Sequence, residues 1–370
     1  MICSLAFIGG FKFAIKEKLF AFWGAVLVVP FDANSNDISA GLPVKMDTSL
    51  MEQAVKVPGV THIYPFIVRP GILQSAGEME GIRLKGISPT QSFPPGMSFK
   101  GKSLNFSDTS YSQDIILSVA TANRLNVRPG EDLRLYFLDN GTPRIRKLHC
   151  AGTYHTGMEE IDRQFALCDM RLVQHLSGWP HDDISGYQIE IANNNLADTM
   201  AAQVYEACVA PPMASQSITD VYQGVFSWLS TQDTNGRILL FIVGIVALIN
   251  LASSMLILMV DRAVMIGILK ALGMEPRSIW TLFLSVSGLI AGLGILFGNI
   301  IGIGLCLSQQ RFRFITLPEE TYNISYVPVR IIWWQILALD LGTLVLCLIC
   351  TLLPLLYIRR IQAAKVLGFK

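Results

Sequence analysis

The chain has 370 residues and a net charge of +1, with 51% hydrophobic and only 15% charged residues, whereas an ordinary soluble domain carries about 25% charged residues. That balance points to a membrane and gives no support to nucleic-acid binding, which shows as a basic domain or stripe. The charges are unevenly spread, so that residues 31–236 have the composition of a polar globular domain and residues 237–358 do not.

The chain opens on "MICSLAFIGGF", which is uncharged but about half the length of the roughly 20 residues that cross a bilayer. It lacks the positive n-region and small-residue cleavage site of a signal peptide. The expectation is therefore a first transmembrane helix whose beginning lies upstream of Met1, so that residues 1–23 are its end and its extracytoplasmic extension. Phe11, Ile15, Leu19 and Phe22 fall at near-helical spacing opposite Lys12, Lys16 and Glu17, which carries the helix beyond the membrane surface to a stop near Gly24.

Residues 24–236 alternate short strand and helix signals. Strands are predicted over 25–31, 59–70, 80–88, 132–138, 144–155 and 185–192, and helices over 47–57, 117–126 and 196–208, the first capped by Asp47 or Ser49. This is an α+β domain. Asn140 and Gly141 form a hairpin signal within the turn Asp139, Asn140, Gly141, Thr142 and Pro143, joining 136–138 to 144–148. No internal repeat or low-complexity run is present.

Three segments pass the length test for spanning a bilayer: 23 consecutive uncharged residues over 238–260, 33 over 278–310, and 28 over 331–358 with the single charge Asp340. A soluble core able to hide three such runs would exceed what this chain can wrap. They are assigned as transmembrane helices over 237–260, 279–307 and 331–358, separated by loops 261–278 and 308–330 and followed by a tail over 359–370. Asp340 costs roughly 2.5–3.5 kcal/mol at mid-helix, which the surrounding leucines and isoleucines offset at about 0.3–0.6 kcal/mol each. Neither of the other two spans offers it a charged partner, which argues against a proton relay and for an interfacial hydrogen bond or a snorkelling position.

Orientation follows from the cations. Loop 261–278 has Arg262, Lys270 and Arg277, and the tail has Arg359, Arg360, Lys365 and Lys370, against Arg311, Arg313 and Arg330 in loop 308–330. The richer side belongs in the cytoplasm, and by alternation domain 24–236 lies outside it. Within loop 261–278, Met265, Ile268, Leu269 and Leu272 recur at i, i+3, i+4 and i+7, an apolar stripe on a helix of about ten residues. Gly273 supplies its stop, Pro276 forbids continuation, and Ser278 is expected to cap the next helix. Such a stripe must be covered, by the membrane surface or by a groove on another protein.

Motifs of chemistry are missing from the sequence. There is no G-x-x-x-x-G-K-[ST], H-E-x-x-H or G-x-S-x-G pattern. Cys347 and Cys350 form one C-x-x-C, but inside an apolar span, where they read as two small apolar side chains. "DANSND" from Asp32 starts like a calcium loop, yet it lacks the sixth-position glycine and has Pro43 in place of the bidentate glutamate. His62, His149, His155, His175 and His181 are scattered without ligand spacing, and His155 with Glu159 and Glu160 nearby reads as part of a solvated loop. Cys150, Cys168 and Cys208 are an odd set in which one pair has the option to bridge.

The stretch "DRAVMIGILKALGMEPRSIW" resembles the segment after the second membrane helix in the FtsX-like family of ABC-transporter permeases. The family's Arg-x-x-x-Ile-Gly-x-Leu-Lys-Ala-Leu-Gly pattern falls on Arg262, Ile266, Gly267, Leu269, Lys270, Ala271, Leu272 and Gly273. "GFKFAIKEKLFAFWG", "GTYHTGMEEID" and "LPLLYIRRIQAAKVLGF" are similar to the first-helix exit, a mid-domain motif and the closing helix and tail of the lipoprotein-releasing (LolC/LolE-type) branch. The resemblance implies a membrane α-helical fold in a four-helix permease layout, with the first helix incomplete here, and a large α+β extracytoplasmic domain. It implies a coupling helix, which also includes Met265 and Ile268, seated on a LolD-type ATPase. ATP and magnesium would reside on that partner, with no cofactor and no catalytic residue in this chain. The further partners implied are a second permease copy or paralogue, a lipoprotein cargo and a periplasmic carrier, all at a bacterial inner membrane. The glycine ladder Gly288, Gly292, Gly294, Gly298 and Gly302 supports close helix packing, within one subunit or at a dimer seam. The hairpin at Asp139–Pro143 is shorter than the branch's carrier-recruiting hook. Other readings are an FtsX-type signalling permease acting on a cell-wall hydrolase, a MacB-type efflux permease, and a membrane-tethered enzyme or receptor without an ATPase.

Overall fold

Gly24 ends the first helix, α1 (Ile2–Trp23), in the left-handed region at φ +75°. A Cβ at this position would lie 2.6 Å from the Ile189 carbonyl oxygen, so the turn and the close approach both require glycine. The computed structural model describes residues 1–31, 43–91, 97–106, 111–139, 142–317 and 326–358. The calcium-like segment at 32–37 and the tail cations Arg359, Arg360, Lys365 and Lys370 lie outside these residues, as does most of the closing motif. The chain divides into a polar unit, Ala14–Ser227 with Thr316–Ser325, and an apolar unit, Met1–Phe13, Trp228–Ile315 and Tyr326–Lys370.

The polar unit is an α+β domain. Its strands are β1 (Val26–Pro30), β2 (Val44–Lys45), β3 (Val60–Ser75), β4 (Glu78–Ile87), β5 (Ser98–Gly101), β6 (Asp114–Ser118), β7 (Asp132–Asp139), β8 (Thr142–His155), β9 (Phe165–Asp169), β10 (Asp183–Ile184), β11 (Gly186–Ile191) and β12 (Met213–Ser217). The main sheet runs β12-β1-β11-β3-β4-β9-β6-β8-β5, with β7 pairing β3 and β8, while β2 and β10 form a separate pair. The helices are α2 (Thr48–Lys56), α3 (Val119–Arg124), α4 (Glu159–Asp162), α5 (Met170–Ser177), α6 (Ala197–Cys208) and α7 (Ile218–Val221). Asp47 caps α2, accepting from the Ser49 and Leu50 N–H groups, which satisfies donors left open at a helix start.

The C-terminal end of α1 is fixed within this unit by a buried lysine. Lys85 is 1% exposed; its Nζ donates to the Phe22 carbonyl at 2.5 Å and lies 4.3 and 4.2 Å from the ring centroids of Phe22 and Trp23. The last carbonyls of a helix lack intrahelical partners, and the Lys85 amine supplies a donor to one of them. Trp23 Nε1 donates to the Tyr222 hydroxyl at 2.7 Å, and Lys18 Nζ donates to the Gly157 carbonyl at 2.9 Å.

Gly157 belongs to "GTYHTGMEEID", whose organising group is Asp162. Its carboxylate accepts from Thr156 N and Oγ1 at 3.1 and 2.7 Å and from Gly157 N at 3.2 Å, and pairs with His155 Nδ1 at 3.0 Å. The expected grouping of His155 with Glu159 and Glu160 on a solvated loop is corrected accordingly. The acid beside His155 is the 3% exposed Asp162 side chain, and Glu159 pairs with Arg163.

Cys150, Cys168 and Cys208 are free thiols. Cys150 on β8 and Cys168 on β9 both stand opposite Ile115 of the intervening β6. Two strand spacings, about 9.6 Å, exceed the reach of a disulfide. Burial pushes the Cys150 thiol up to about 11 and raises that of Cys168 as well.

The apolar unit contains most of α8 (Gln223–Asp261), then α9 (Ala263–Ala271), α10 (Pro276–Phe312) and α11 (Trp333–Ile358). Among the described residues, Gln223–Leu258 and Arg277–Phe312 are each long and apolar enough to cross a membrane, and Trp333–Ile349 is a shorter apolar stretch. Ser278 is not the cap of α10. Glu275 precedes Pro276 at the helix start, and the Ser278 N–H already donates to the Glu275 carbonyl at 3.0 Å; proline favours this first position because its missing donor costs nothing there. The portion of α1 in this unit is held by an ion pair between Lys12 and Asp233, by edge contact of Phe11 with Trp228 at 5.5 Å, and by the Arg330 guanidinium 3.9 Å over Phe13.

Burial holds the Lys85 pKa well below 10.5. Between that lowered value and 10.5 the unfolded chain binds a proton that the folded domain does not, so stability rises with pH across the window. Thermal unfolding of the detergent-solubilised protein, followed by tryptophan fluorescence, is expected to show the wild type gaining on Lys85→Met as the pH rises towards 10.5. Parallel pH profiles would contradict this.

Candidate functional site

Helix α9 joins α8 through a bend at Arg262. The Arg262 N–H donates to the Leu258 carbonyl at 3.1 Å, and its own carbonyl accepts from Ile266 N–H at 3.0 Å. At the other end Gly273 adopts φ +86°, and the Met274 N–H closes back on the Leu269 carbonyl at 3.0 Å, a left-handed helix stop. Lys270 and Ala271 complete the last helical turn.

Which face α9 presents is set by Ile266, which is 0% exposed and packs with Ile279 and Phe283 of α10, flanked by Trp280 and Leu284. At 100° per residue, Val264, Met265, Ile268 and Leu272 occupy the opposite arc, and all four are exposed, Leu272 to 80%. Leu269 stands at the edge of this arc and is partly covered, and Gly267 is buried beside Ile266. The predicted stripe is therefore present, with Val264 added. The anchoring part of Ile266 escaped the periodicity argument, although the i, i+4 pair Ile279 and Phe283 was a visible counterpart. Arg262 is exposed.

A second feature is a cavity of about 560 Å³ bounded by α1, α8, α10 and α11, with Ile2, Cys3, Gly294, Gly298, Asn299 and Asp340 among its lining residues. Asp340 Oδ2 accepts from Asn299 Nδ2 at 2.7 Å. The expected interfacial hydrogen bond is thus found; Asn299 was passed over because only charged partners were sought. The glycine ladder divides. Gly302 meets Ile2, where a Cβ would lie 3.3 Å from the isoleucine Cβ, and Gly288 meets Leu348 at 3.8 Å, but Gly292, Gly294 and Gly298 have nothing within 4 Å. Among the described residues of this chain, those three therefore make no helix contact at the Cβ position, and two of them open onto the cavity.

In the hairpin, Asp139 pairs with Thr142 and Leu138 with Pro143; Asn140 and Gly141 lie outside the described residues. Among the described residues no group of three or more His, Cys, Asp or Glu side chains is placed to hold a metal.

Residues 237–363 match the family FtsX-like permease C-terminal. The matched stretch takes in most of α8 and all of α9, α10 and α11. Along its whole length the chain is similar to the lipoprotein-releasing system transmembrane protein LolC of Xylella fastidiosa, at 24% identity covering 100% of this chain and 90% of the relative. It is also similar to the lipoprotein-releasing system transmembrane protein LolE of Haemophilus influenzae, at 20% identity covering 100% and 90%. Among solved structures, the periplasmic region of MacB from Actinobacillus actinomycetemcomitans aligns with a TM-score of 0.38 and 14% identity, over 54% of this chain and 92% of that one.

The Asn299–Asp340 bond yields a double-mutant test. Asp340→Leu leaves the Asn299 amide without this acceptor and is expected to lower stability in detergent by about 0.6–1.7 kcal/mol. Asn299→Leu in the same background should recover part of the loss, and Asp340→Asn should be close to neutral. Additive effects of the two leucine substitutions in thermal melts would show that the two side chains do not interact.

Proposed function

We propose that this chain is the transmembrane permease subunit of an ABC transporter that extracts lipoproteins from the bacterial inner membrane and passes them towards a periplasmic carrier. The polar unit is then periplasmic, and α9 is the cytoplasmic coupling helix. The observation that carries this reading is the outward apolar arc Val264, Met265, Ile268 and Leu272, held in place by Ile266 within an FtsX-like permease domain. Similarity to LolC and LolE proteins along the chain supports the choice of cargo.

In this reading a LolD-type ATPase receives the arc of α9 in a groove and supplies ATP hydrolysis, with magnesium, as the energy source. Closure of two ATPase subunits displaces α9. The displacement passes to α10 through the Ile266 contact with Ile279 and Phe283, and to α8 through the bend at Arg262. A second permease copy or paralogue completes the transporter, and the short hairpin at Asp139–Pro143 faces the carrier. The stretch of α10 at Gly294 and Gly298, which borders the cavity, is available for movement.

Burying a leucine side chain contributes about 1.5–3 kcal/mol, so Leu272→Asp is expected to weaken capture of the ATPase by about 10- to 100-fold while membrane insertion is retained. Co-purification of the ATPase at full yield with Leu272→Asp would remove α9 from the coupling role. Depletion of the protein is expected to leave triacylated lipoproteins in the inner membrane, as measured by membrane fractionation; unchanged sorting would remove the cargo assignment.

A further inference from the structure

The cavity wall brings two thiols together. Cys3, in the first turn of α1, lines the cavity, and its side chain interacts directly with that of Cys306 on α10. Cys306 is fully buried, Cys3 is partly buried, and both are free thiols. Cys3 Sγ also lies 3.6 Å from the Gly302 carbonyl, one turn before Cys306 on α10. Gly302 and Cys306 stand at i and i+4 and so share a face. The missing side chain at Gly302 admits Ile2 at close range, and this lets α1 lie near enough to α10 for two short side chains to meet.

We propose that Cys3 and Cys306 are a reversible redox modification site, at which a membrane-permeable peroxide joins them in a disulfide that fastens α1 to α10. Cys3 is the entry point because it borders the cavity, whereas Cys306 sits behind it. The Cys3 sulfur attacks hydrogen peroxide, the O–O bond breaks, and the products are a sulfenic acid and one water. The Cys306 sulfur then attacks the Cys3 sulfur, the S–O bond breaks, and the hydroxyl leaves as a second water with the Cys306 proton. Two thiols are oxidised by two electrons and one peroxide is reduced to two waters. Thiol–disulfide exchange with a dithiol returns both sulfurs to the reduced state. The bond would hold the first turn of α1 against the glycine-bearing face of α10 and fix that wall of the cavity. The site goes beyond the transport reading and does not depend on it, because its readout is chemical.

The test uses the full chain in membranes. It is treated with hydrogen peroxide, denatured, labelled with a maleimide, digested and analysed by mass spectrometry. The chain has seven cysteines, so the labelled count is expected to fall from seven to five, with recovery of a peptide pair joined through Cys3 and Cys306. Dithiothreitol should restore seven, and Cys3→Ser and Cys306→Ser should each yield no linked pair. Retention of all seven labels after peroxide overturns the proposal, as does a linkage between other cysteines such as Cys347 and Cys350.

Discussion

The seating of Ile266 between Ile279 and Phe283 decides which way α9 faces, and the role given to the apolar unit depends on it. A helix of nine residues is too short to be stable alone in water. Its orientation therefore comes from one tertiary anchor and from punctuation at both ends, the bend at Arg262 and the left-handed stop at Gly273. Burying the isoleucine contributes about 1.5–3 kcal/mol, enough to choose one rotation of α9 about its axis over the others. Rotated the other way, α9 would hide Met265, Ile268 and Leu272 and expose Ile266.

Along α10 one residue type meets two different demands. At Gly302 and Gly288 the lack of a side chain admits a neighbouring side chain, whereas at Gly294 and Gly298 it leaves room for a cavity. The polar pair in that cavity follows the rule for apolar surroundings, where a hydrogen-bonding group without a partner is expensive. Asn299 and Asp340 satisfy each other across α10 and α11, so a carboxyl group can be carried in an apolar span without an ionic partner.

Features written locally were legible in the sequence, and features made by the fold were not. The stripe on α9, the apolar runs, the Asp47 cap and the stop at Gly24 each depend on residues within about one or two helical turns. The hairpin register around Asn140 and Gly141 is equally local. β6 and β9 escaped notice because strands buried on both faces show a short apolar run without alternation. α5 was missed despite an Asp169 cap and Gly178 at φ +65°, because eight residues are too few for a clear helical period. His155 was grouped with its sequence neighbours Glu159 and Glu160, but the turn of α4 brings Asp162 to it instead. The ladder of glycines on α10 reads as one stripe by spacing, and only the positions of α1 and α11 divide it into contacts and open space.

Lys85 shows most clearly what sequence position alone conceals. On a strand it reads as a surface residue, yet it is almost fully buried, with a carbonyl and two ring faces as its direct partners. Burial of an ionisable group on such terms is a poor source of stability, since an apolar side chain of similar volume often does as well or better. What the lysine contributes is position. A slip of α1 by one residue, about 1.5 Å along its axis, would break the bond to the Phe22 carbonyl, and the Lys18 bond to Gly157 would break with it. The C-terminal end of α1 is therefore held to the domain in a single register. Sliding of the domain along the C-terminal end of α1 would leave the buried Lys85 amine without its partners.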